Sequence, residues 1–145
     1  MKTSLFHWKR WLLPLALVLL LFLLLHRHPV AVPDDVVSVE ISQYAGTQLA
    51  FCNQYTSPEN LRLIVDTLAS MDPRGRAKDI QITGGSGLIV ALQTADGERI
   101  VYEVFDGRWD HYLCMGKNEW YDISRRKCNA FYALAEKLTP DAVIQ

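Results

Sequence analysis

The chain of 145 residues has little net charge and few residues of the types that active sites usually require. Its formal charge is −1 at pH 7, and it contains only three cysteines and four histidines. The part after residue 33 holds eleven basic and sixteen acidic residues, a net charge of −5, which is poorly suited to nucleic acid. We therefore expect no nucleic-acid partner. Hydrophobic residues make up 50% of the chain, which excludes a disordered or low-complexity protein.

Several sequence signatures of cofactor and metal sites are also absent. The chain contains no C-x-x-C pair. The glycine-rich stretch at residues 84–87 lacks the Lys-Ser/Thr that a phosphate-binding loop requires, so we interpret it as a turn or bulge. His26 and His28 are two potential metal ligands without a third nearby, and interfacial polarity explains them better. The sequence predicts no cofactor and no metal.

Acidic residues are missing from the first 33 positions, which contain four basic residues and one long apolar run. Residues 11–25 read WLLPLALVLLLFLLL and include no charged side chain. At about 1.5 Å per residue, this helix would cover about 22 Å, which is short of a hydrocarbon core of about 30 Å. Lys9 and Arg10 precede the run, and Asp34 follows it. The positive-inside rule therefore predicts a cytoplasmic N-terminus and an exported body.

The residues that follow the apolar run offer a poor site for signal peptidase, because Ala31 is the only small residue nearby. We predict an uncleaved signal-anchor, with a protein secreted after cleavage as the alternative. Residues 1–28 then form a cytoplasmic tip and a single transmembrane segment, with membrane lipid as the partner of residues 11–25. Residues 29–35 form an extended linker, and residues 36–145 form an extracytoplasmic domain of a single-pass membrane protein.

Hydrophobic periodicity predicts an antiparallel sheet covered by two helices. Alternation predicts strands at residues 36–43, 48–52, 88–94, 99–105, 109–115 and 119–123. Ser57 as N-cap, Pro58 at the first helical position and Glu59 in the first turn predict a helix between the second and third strands. Ser124 is expected to cap a closing helix. The predicted fold class is α+β in the order β-β-α-β-β-β(-β)-α, behind one N-terminal transmembrane helix.

Two local details follow from the same patterns. Alternation in the first strand places Val37, Val39 and Ile41 together on one buried side. The Asp96-Gly97 pair between two apolar strands predicts a hairpin turn, because glycine tolerates the positive φ angles of such turns.

Three segments, SPENLRLIVDTLASM, TADGERIVYEVFDG and NEWYDIS, resemble parts of a loose group of small exported domains of Gram-positive bacteria. Such domains occur as lipoproteins, as single-span anchored proteins, or as tails of larger sensor and peptidase proteins. The resemblance covers most of residues 36–138. It implies an exported α+β module of a bacterium and transfers no active-site residue, and the three cysteines of this chain depart from the pattern.

Cys52, Cys114 and Cys128 all fall in the predicted exported domain, where cysteines can persist as disulfides. If residues 116–118 form a hairpin turn, Cys114 lies opposite Tyr121, on the face that the closing helix covers. Cys128 lies on the apolar side of that helix. We therefore favour a disulfide between Cys114 and Cys128 over the other pairings, with three free thiols as the alternative.

A thiol or histidine enzyme is the alternative to a binding module. His111 follows Asp110 and lies near Cys114, and a Cys–His pair can activate a thiolate. Residues three apart on a strand point to opposite faces, so this pair is not expected to meet. We interpret His111 as a surface histidine beside an aspartate. The favoured prediction is a non-catalytic binding, sensing or accessory module at the cell envelope.

Aromatic residues supply the one indication of a binding surface. Tyr102, Trp109, Tyr112 and Trp120 cluster in the second half of the sheet, and exposed aromatics on a sheet can recognise a peptide, a glycan or a protein. A protein partner in the cell envelope is therefore predicted. Cross-strand packing that stabilises an open face of the sheet is the alternative explanation for these residues.

Overall fold

The computed structural model describes residues 12–21, 30–45, 48–78, 80, 85–116 and 118–144. Residues 12–21 are helical and are called α1 here. The remaining elements are β1 (Val36–Ala45), β2 (Gln48–Tyr55), α2 (Pro58–Ala69), β3 (Gly85–Thr94), β4 (Arg99–Gly107), β5 (His111–Met115), β6 (Glu119–Asp122), α3 (Arg125–Lys137) and β7 (Ala142–Val143). The α+β class and the predicted order are confirmed. The short β7 was not predicted.

All seven strands belong to one antiparallel sheet in the order β6-β5-β4-β3-β1-β2-β7. Strands β3 to β6 are joined one to the next by hairpins, and β1 lies between β2 and β3. The turn between β3 and β4 contains Gly97 with φ +91°, as the Asp-Gly pair predicts. The β5–β6 turn contains Gly116 with φ +68° and Asn118 with φ +62°.

The core lies between one face of the sheet and the two helices α2 and α3. The buried side chains alternate along the central strands, and the sheet contributes Val39, Ile41, Leu88, Val90, Leu92, Tyr102, Val104 and Leu113, while the helices contribute Ile64, Leu68, Cys128 and Phe131. We call this side the helix-packed face. The opposite side, which includes Ala91, Glu103, Phe105, Tyr112, Cys114 and Trp120 by strand register, is called the outer face.

One residue of the first strand departs from the predicted alternation. Val39 and Ile41 are buried as expected, but Val37 is 47% exposed. The pairing of β1 with β3 shifts between Val36 and Ser38, and this irregularity rotates Val37 away from the core. The prediction that Val37 shares the buried side is therefore wrong.

Tyr132 joins α3 to the sheet through a buried hydroxyl. Its oxygen lies 2.6 Å from the carbonyl oxygen of Ser86 and 3.1 Å from that of Val104. Burial raises the pKa of Tyr132 to about 12, so the hydroxyl remains a donor over the physiological pH range.

The two helices begin as the sequence predicts, but only one uses its own serine as a cap. In α3, the Ser124 hydroxyl accepts a hydrogen bond from the Lys127 amide at 3.3 Å. In α2, Ser57 makes no side-chain cap. Instead, Asp141 Oδ2 accepts hydrogen bonds from the amides of Thr56 at 2.6 Å and Ser57 at 2.9 Å. The C-terminal segment thus supplies the acceptor at the start of α2.

The predicted linker is in part a piece of the folded domain. Val30 is buried in the core, and the hydroxyl of Tyr102 donates to the Ala31 carbonyl at 2.6 Å. The Ala95 amide donates to the Asp35 carbonyl at 3.0 Å. The stretch predicted as an extended linker, residues 29–35, thus contacts the folded domain at residues 30, 31 and 35.

Among the described residues, no helix has both the length and the apolar character that a membrane span requires. The apolar run is described only over residues 12–21. The predicted cytoplasmic tip, the remainder of the run and the two histidines at positions 26 and 28 lie outside the described residues.

The contacts of Asp141 predict a pH-dependent contribution to stability. Hydrogen bonds from the two amides hold the pKa of Asp141 below its ordinary value. The carboxylate therefore stabilises the fold at pH values above its unfolded pKa, and this contribution is lost as the pH falls through the folded pKa. We expect Asp141→Asn to lower the melting temperature at pH 7 and to flatten the decline in stability between neutral pH and pH 3.

Thermal unfolding followed by circular dichroism across this pH range tests the prediction. Asp34→Asn, at another exposed aspartate, is the matched control and should leave the profile unchanged. An Asp141→Asn profile that runs parallel to the wild-type profile would show that the hydrogen bonds do not favour the charged carboxylate.

Candidate functional site

The four aromatic residues predicted as a binding surface do not form one surface. Tyr102 lies in the core on the helix-packed face, with its hydroxyl bonded to the chain at Ala31. Burial also raises the pKa of Tyr102. Tyr112 and Trp120 lie on the outer face, and Trp109 lies in the loop between β4 and β5. The prediction of a common surface is therefore wrong for Tyr102, because pleat alternation separates it from the others.

Tyr112 and Trp120 are packed against each other and against Phe105. The rings of Phe105 and Tyr112 are stacked with centroids 6.4 Å apart, and Trp120 meets Tyr112 edge to face at 6.4 Å. Tyr112 and Phe105 are both buried. This arrangement agrees with the alternative explanation of cross-strand packing, which leaves Trp109 as the freely exposed aromatic of the predicted set.

The structure does not bring Cys114 and Cys128 together. Cys114 is paired with Trp120 rather than with Tyr121, so the predicted register of the last hairpin was wrong by one residue. Cys114 pairs with Glu103 of β4 and lies on the outer face, whereas the Cys128 thiol donates to the Phe105 carbonyl at 3.7 Å from the helix-packed side. All three cysteines are free thiols, which is the alternative that the sequence left open.

The surroundings of the three thiols favour their protonated form. Burial raises the pKa of Cys128 to about 12, and the negative charge of Asp106 acts in the same direction. Burial, followed by the charge of Glu103, raises the pKa of Cys114. Burial, followed by the charge of Glu40, raises the pKa of Cys52. Because the thiolate is the nucleophile, each of these cysteines is less reactive than a free thiol at neutral pH.

Asp106, His111 and Cys128 form a compact polar cluster at one end of the core. Asp106 and His111 are directly opposite each other in the β4–β5 pairing, so their side chains share the helix-packed face. Cys128 reaches them from α3. One ligand-type atom from each residue lies within 4.8 Å of the other two. We call these three residues the polar trio.

His111 is the central member of the polar trio and is only 9% exposed. Its Nδ1 atom lies 3.0 Å from Asp106 Oδ1, yet the direction of this contact is not that of a hydrogen bond. Nδ1 is therefore a buried nitrogen that lacks an aligned hydrogen-bond partner. The interpretation of His111 as a surface histidine beside Asp110 is wrong, because the strand turns its ring inward toward Asp106.

An open cleft of about 600 Å³ is lined in part by His111. Its lining comprises Arg74, Arg108, Trp109, Asp110, His111, Asp122, Ile123, Ser124, Arg125 and Arg126. Four of these residues are arginines and two are aspartates, so the charged side chains carry a net positive charge. The cleft also contains the start of α3, where the helix dipole adds positive potential. We call this feature the arginine cleft.

Trp109 stands at the edge of the arginine cleft and is 79% exposed. The guanidinium of Arg108 lies 5.1 Å from the centroid of its ring, a cation–π contact. Arg74 is brought to the cleft because its amide donates to the Asp122 carbonyl at 2.8 Å, beside β6. Long-range pairing thus assembles cationic side chains from three separate parts of the chain.

Sequence reasoning missed both the polar trio and the arginine cleft. The signals that could have located the cleft were the Arg108-Trp109 and Arg125-Arg126 pairs, each beside the end of an element. The trio left no local signal, because Cys128 is 17 residues beyond His111 and on a helix.

No protein-family model, curated protein or solved structure matches this chain. The resemblance to exported domains of Gram-positive bacteria stays a prediction.

The burial of the thiols predicts slow alkylation of the native protein. We expect iodoacetamide at pH 7 to label Cys52 first, because Cys114 and Cys128 are buried. Cys128 should react at least about a hundredfold more slowly than glutathione, because its thiolate fraction is very small. Peptide mass spectrometry at timed intervals gives the three rates, and labelling in guanidinium, where all three should react, is the control. Rapid labelling of native Cys114 or Cys128 would contradict the prediction.

Proposed function

We propose that the chain is a membrane-anchored, extracytoplasmic module of a bacterium, and that its folded domain binds an anionic ligand without catalysing a reaction. The Leu-rich run is the anchor, and the arginine cleft is the binding site. Carboxylate and phosphate groups are the ligand chemistries that arginine recognises best.

The exposure of the apolar side chains of α1 supports the proposed membrane anchor. The large apolar side chains of this helix are all exposed, from 48% at Leu21 to 77% at Leu13. So many exposed apolar side chains need an apolar environment that the described part of the chain does not supply. The basic residues before the run and the aspartates after it favour an N-terminus in the cytoplasm and a domain outside. A protein secreted after cleavage stays the alternative.

The exposure of Trp109 among four arginines is the observation that carries the binding proposal. Tryptophan and arginine are the residue types enriched at binding hot spots, and here they line one cleft. Asp110 and Asp122 interrupt the positive surface. This pattern favours a compact anionic group beside an apolar part over a long polyanion such as nucleic acid.

A small envelope enzyme that uses a thiol or a histidine is the second candidate function, and the polar trio is the observation that favours it. A cysteine, a histidine and an aspartate in proximity are the components of a thiol-dependent hydrolase. Cys128, however, is 0% exposed, and its thiol donates to a backbone carbonyl. A substrate has no access to the sulfur in this arrangement, so binding is the better supported function.

The anchor proposal predicts a change of location when the apolar run is interrupted. Two lysines at the centre of a span cost about 2.5–3.5 kcal/mol each on insertion scales, so Leu17→Lys with Val18→Lys should abolish membrane insertion. The exposed Leu63→Lys in α2 is the control and should leave the protein in the membrane fraction. Carbonate extraction and digestion of intact cells with added protease provide the readouts. Wild-type protein that is soluble and protected from added protease until the cells are broken would contradict the proposal.

The binding proposal predicts saturable binding of small anions at the arginine cleft. We expect inorganic phosphate and acetate, titrated at constant ionic strength, to shift the indole N–H resonance of Trp109 in the full chain held in nanodiscs. Removing two charges with Arg125→Ala and Arg126→Ala should weaken binding roughly tenfold, as expected for the loss of hydrogen bonds to charged groups near the surface.

Arg62→Ala provides the matched control for the cleft variant. Arg62 is an exposed arginine on the other helix, where it pairs with Asp66 at 3.5 Å, and its removal should leave the affinity unchanged. Equal loss of binding in both variants, or a Trp109 resonance that ignores both anions, would refute anion binding at the cleft.

A further inference from the structure

We infer that Asp106, His111 and Cys128 constitute a binding site for one divalent transition-metal ion of the zinc type, with solvent completing the coordination. This site lies beneath the arginine cleft and goes beyond anion binding, on which it does not depend.

The geometry of the polar trio suits such an ion. The three residues come from β4, β5 and α3, and their donor atoms lie within 4.8 Å of one another. Ligands of tetrahedral zinc, bound at about 2.0–2.3 Å, are separated by about 3.3–3.8 Å. Asp106 Oδ1 and His111 Nδ1 are already 3.0 Å apart, and Cys128 supplies the third donor within 4.8 Å of both residues.

The chemistry of the donors favours a zinc-type ion over magnesium or calcium. A sulfur, an imidazole nitrogen and a carboxylate oxygen together match the preferences of zinc and its neighbours, whereas magnesium and calcium select oxygen ligands alone. A thiolate and a carboxylate also neutralise a divalent ion. The bound site therefore adds no net charge beneath the four exposed arginines of the cleft.

The state of His111 points independently to a missing ligand. Its Nδ1 atom is buried and without an aligned hydrogen-bond partner, although a carboxylate oxygen lies 3.0 Å away. Buried polar atoms in folded proteins are nearly always paired. The Cys128 thiol donates to the Phe105 carbonyl and not into the trio, so no hydrogen bond joins the three side chains. A cation between them would pair the histidine nitrogen and the carboxylate at once.

Access to the trio comes from the side of the arginine cleft. His111 lines that cleft, and the Asp106 side chain is 37% exposed, while Cys128 is fully enclosed. The sulfur therefore lies on the inner side of the site, and the remaining coordination position faces water. Three protein ligands with one solvent position are the arrangement of zinc sites that stay open to exchange.

Cobalt substitution tests this inference in the full-length protein purified in detergent. We expect Co²⁺ to bind with one ion per chain and to produce a sulfur-to-cobalt charge-transfer band, together with visible bands of tetrahedral geometry. Zn²⁺ should displace the cobalt and raise the melting temperature. Cys128→Ser should abolish the charge-transfer band, and Cys114→Ser is the matched control that should retain it, because Cys114 is on the outer face.

Two further variants keep the test decisive if Cys128→Ser fails to fold. His111→Gln and Asp106→Asn, checked by circular dichroism without metal, should each weaken Zn²⁺ binding by more than about tenfold. Wild-type affinity in both folded variants would overturn the inference, as would a cobalt spectrum without a thiolate band or a band lost equally in Cys114→Ser. Arg125→Ala with Arg126→Ala should retain metal binding, so failure of the anion proposal and failure of the metal proposal are distinguishable.

Discussion

The packing of α2 and α3 on the same face of the sheet is the constraint from which the site arises. With both helices on one side, pleat alternation assigns each strand residue either to a dry core or to the outer face. Asp106 and His111 are cross-strand partners, and each lies two positions from a core residue of its own strand. Their side chains therefore point to the core side of the sheet. Two polar residues are thereby held at the end of the core, where α3 presents Cys128.

The same alternation separates residues that are close in sequence. His111 and Cys114 are three positions apart on β5 and point to opposite faces, as alternation along a strand predicts. Tyr102 and Tyr112 are likewise separated, one in the core and one in an aromatic cluster on the outer face. In this domain, closeness along a strand is therefore a poor guide to which side chains meet. The cross-strand register is a better guide.

The order of the elements could be predicted from the sequence because it depends on local signals. Ser124 caps its own helix, and Gly97 supplies a positive φ angle within a turn of a few residues. The acceptor at the start of α2 could not be predicted from local sequence, because Asp141 lies 85 positions from Thr56. The register near Cys114 could have been predicted, because a turn at residues 116–118 pairs Met115 with Glu119 and therefore Cys114 with Trp120. The trio and the cleft depend on such long-range contacts throughout.

The contacts of Val30 and Ala31 with the folded domain determine where a pulling force from the membrane would act. Only residues 26–29 lie between the end of the apolar run and Val30, which amounts to at most about 14 Å of extended chain. With the run held in a bilayer, a force pulling the domain outward would first extend these four residues fully. The force would then act directly on the hydrogen bond between Tyr102 and Ala31 and on the contacts of the buried Val30. Tension at the membrane would thus act on β4, an interior strand of the sheet, and not on a flexible connection.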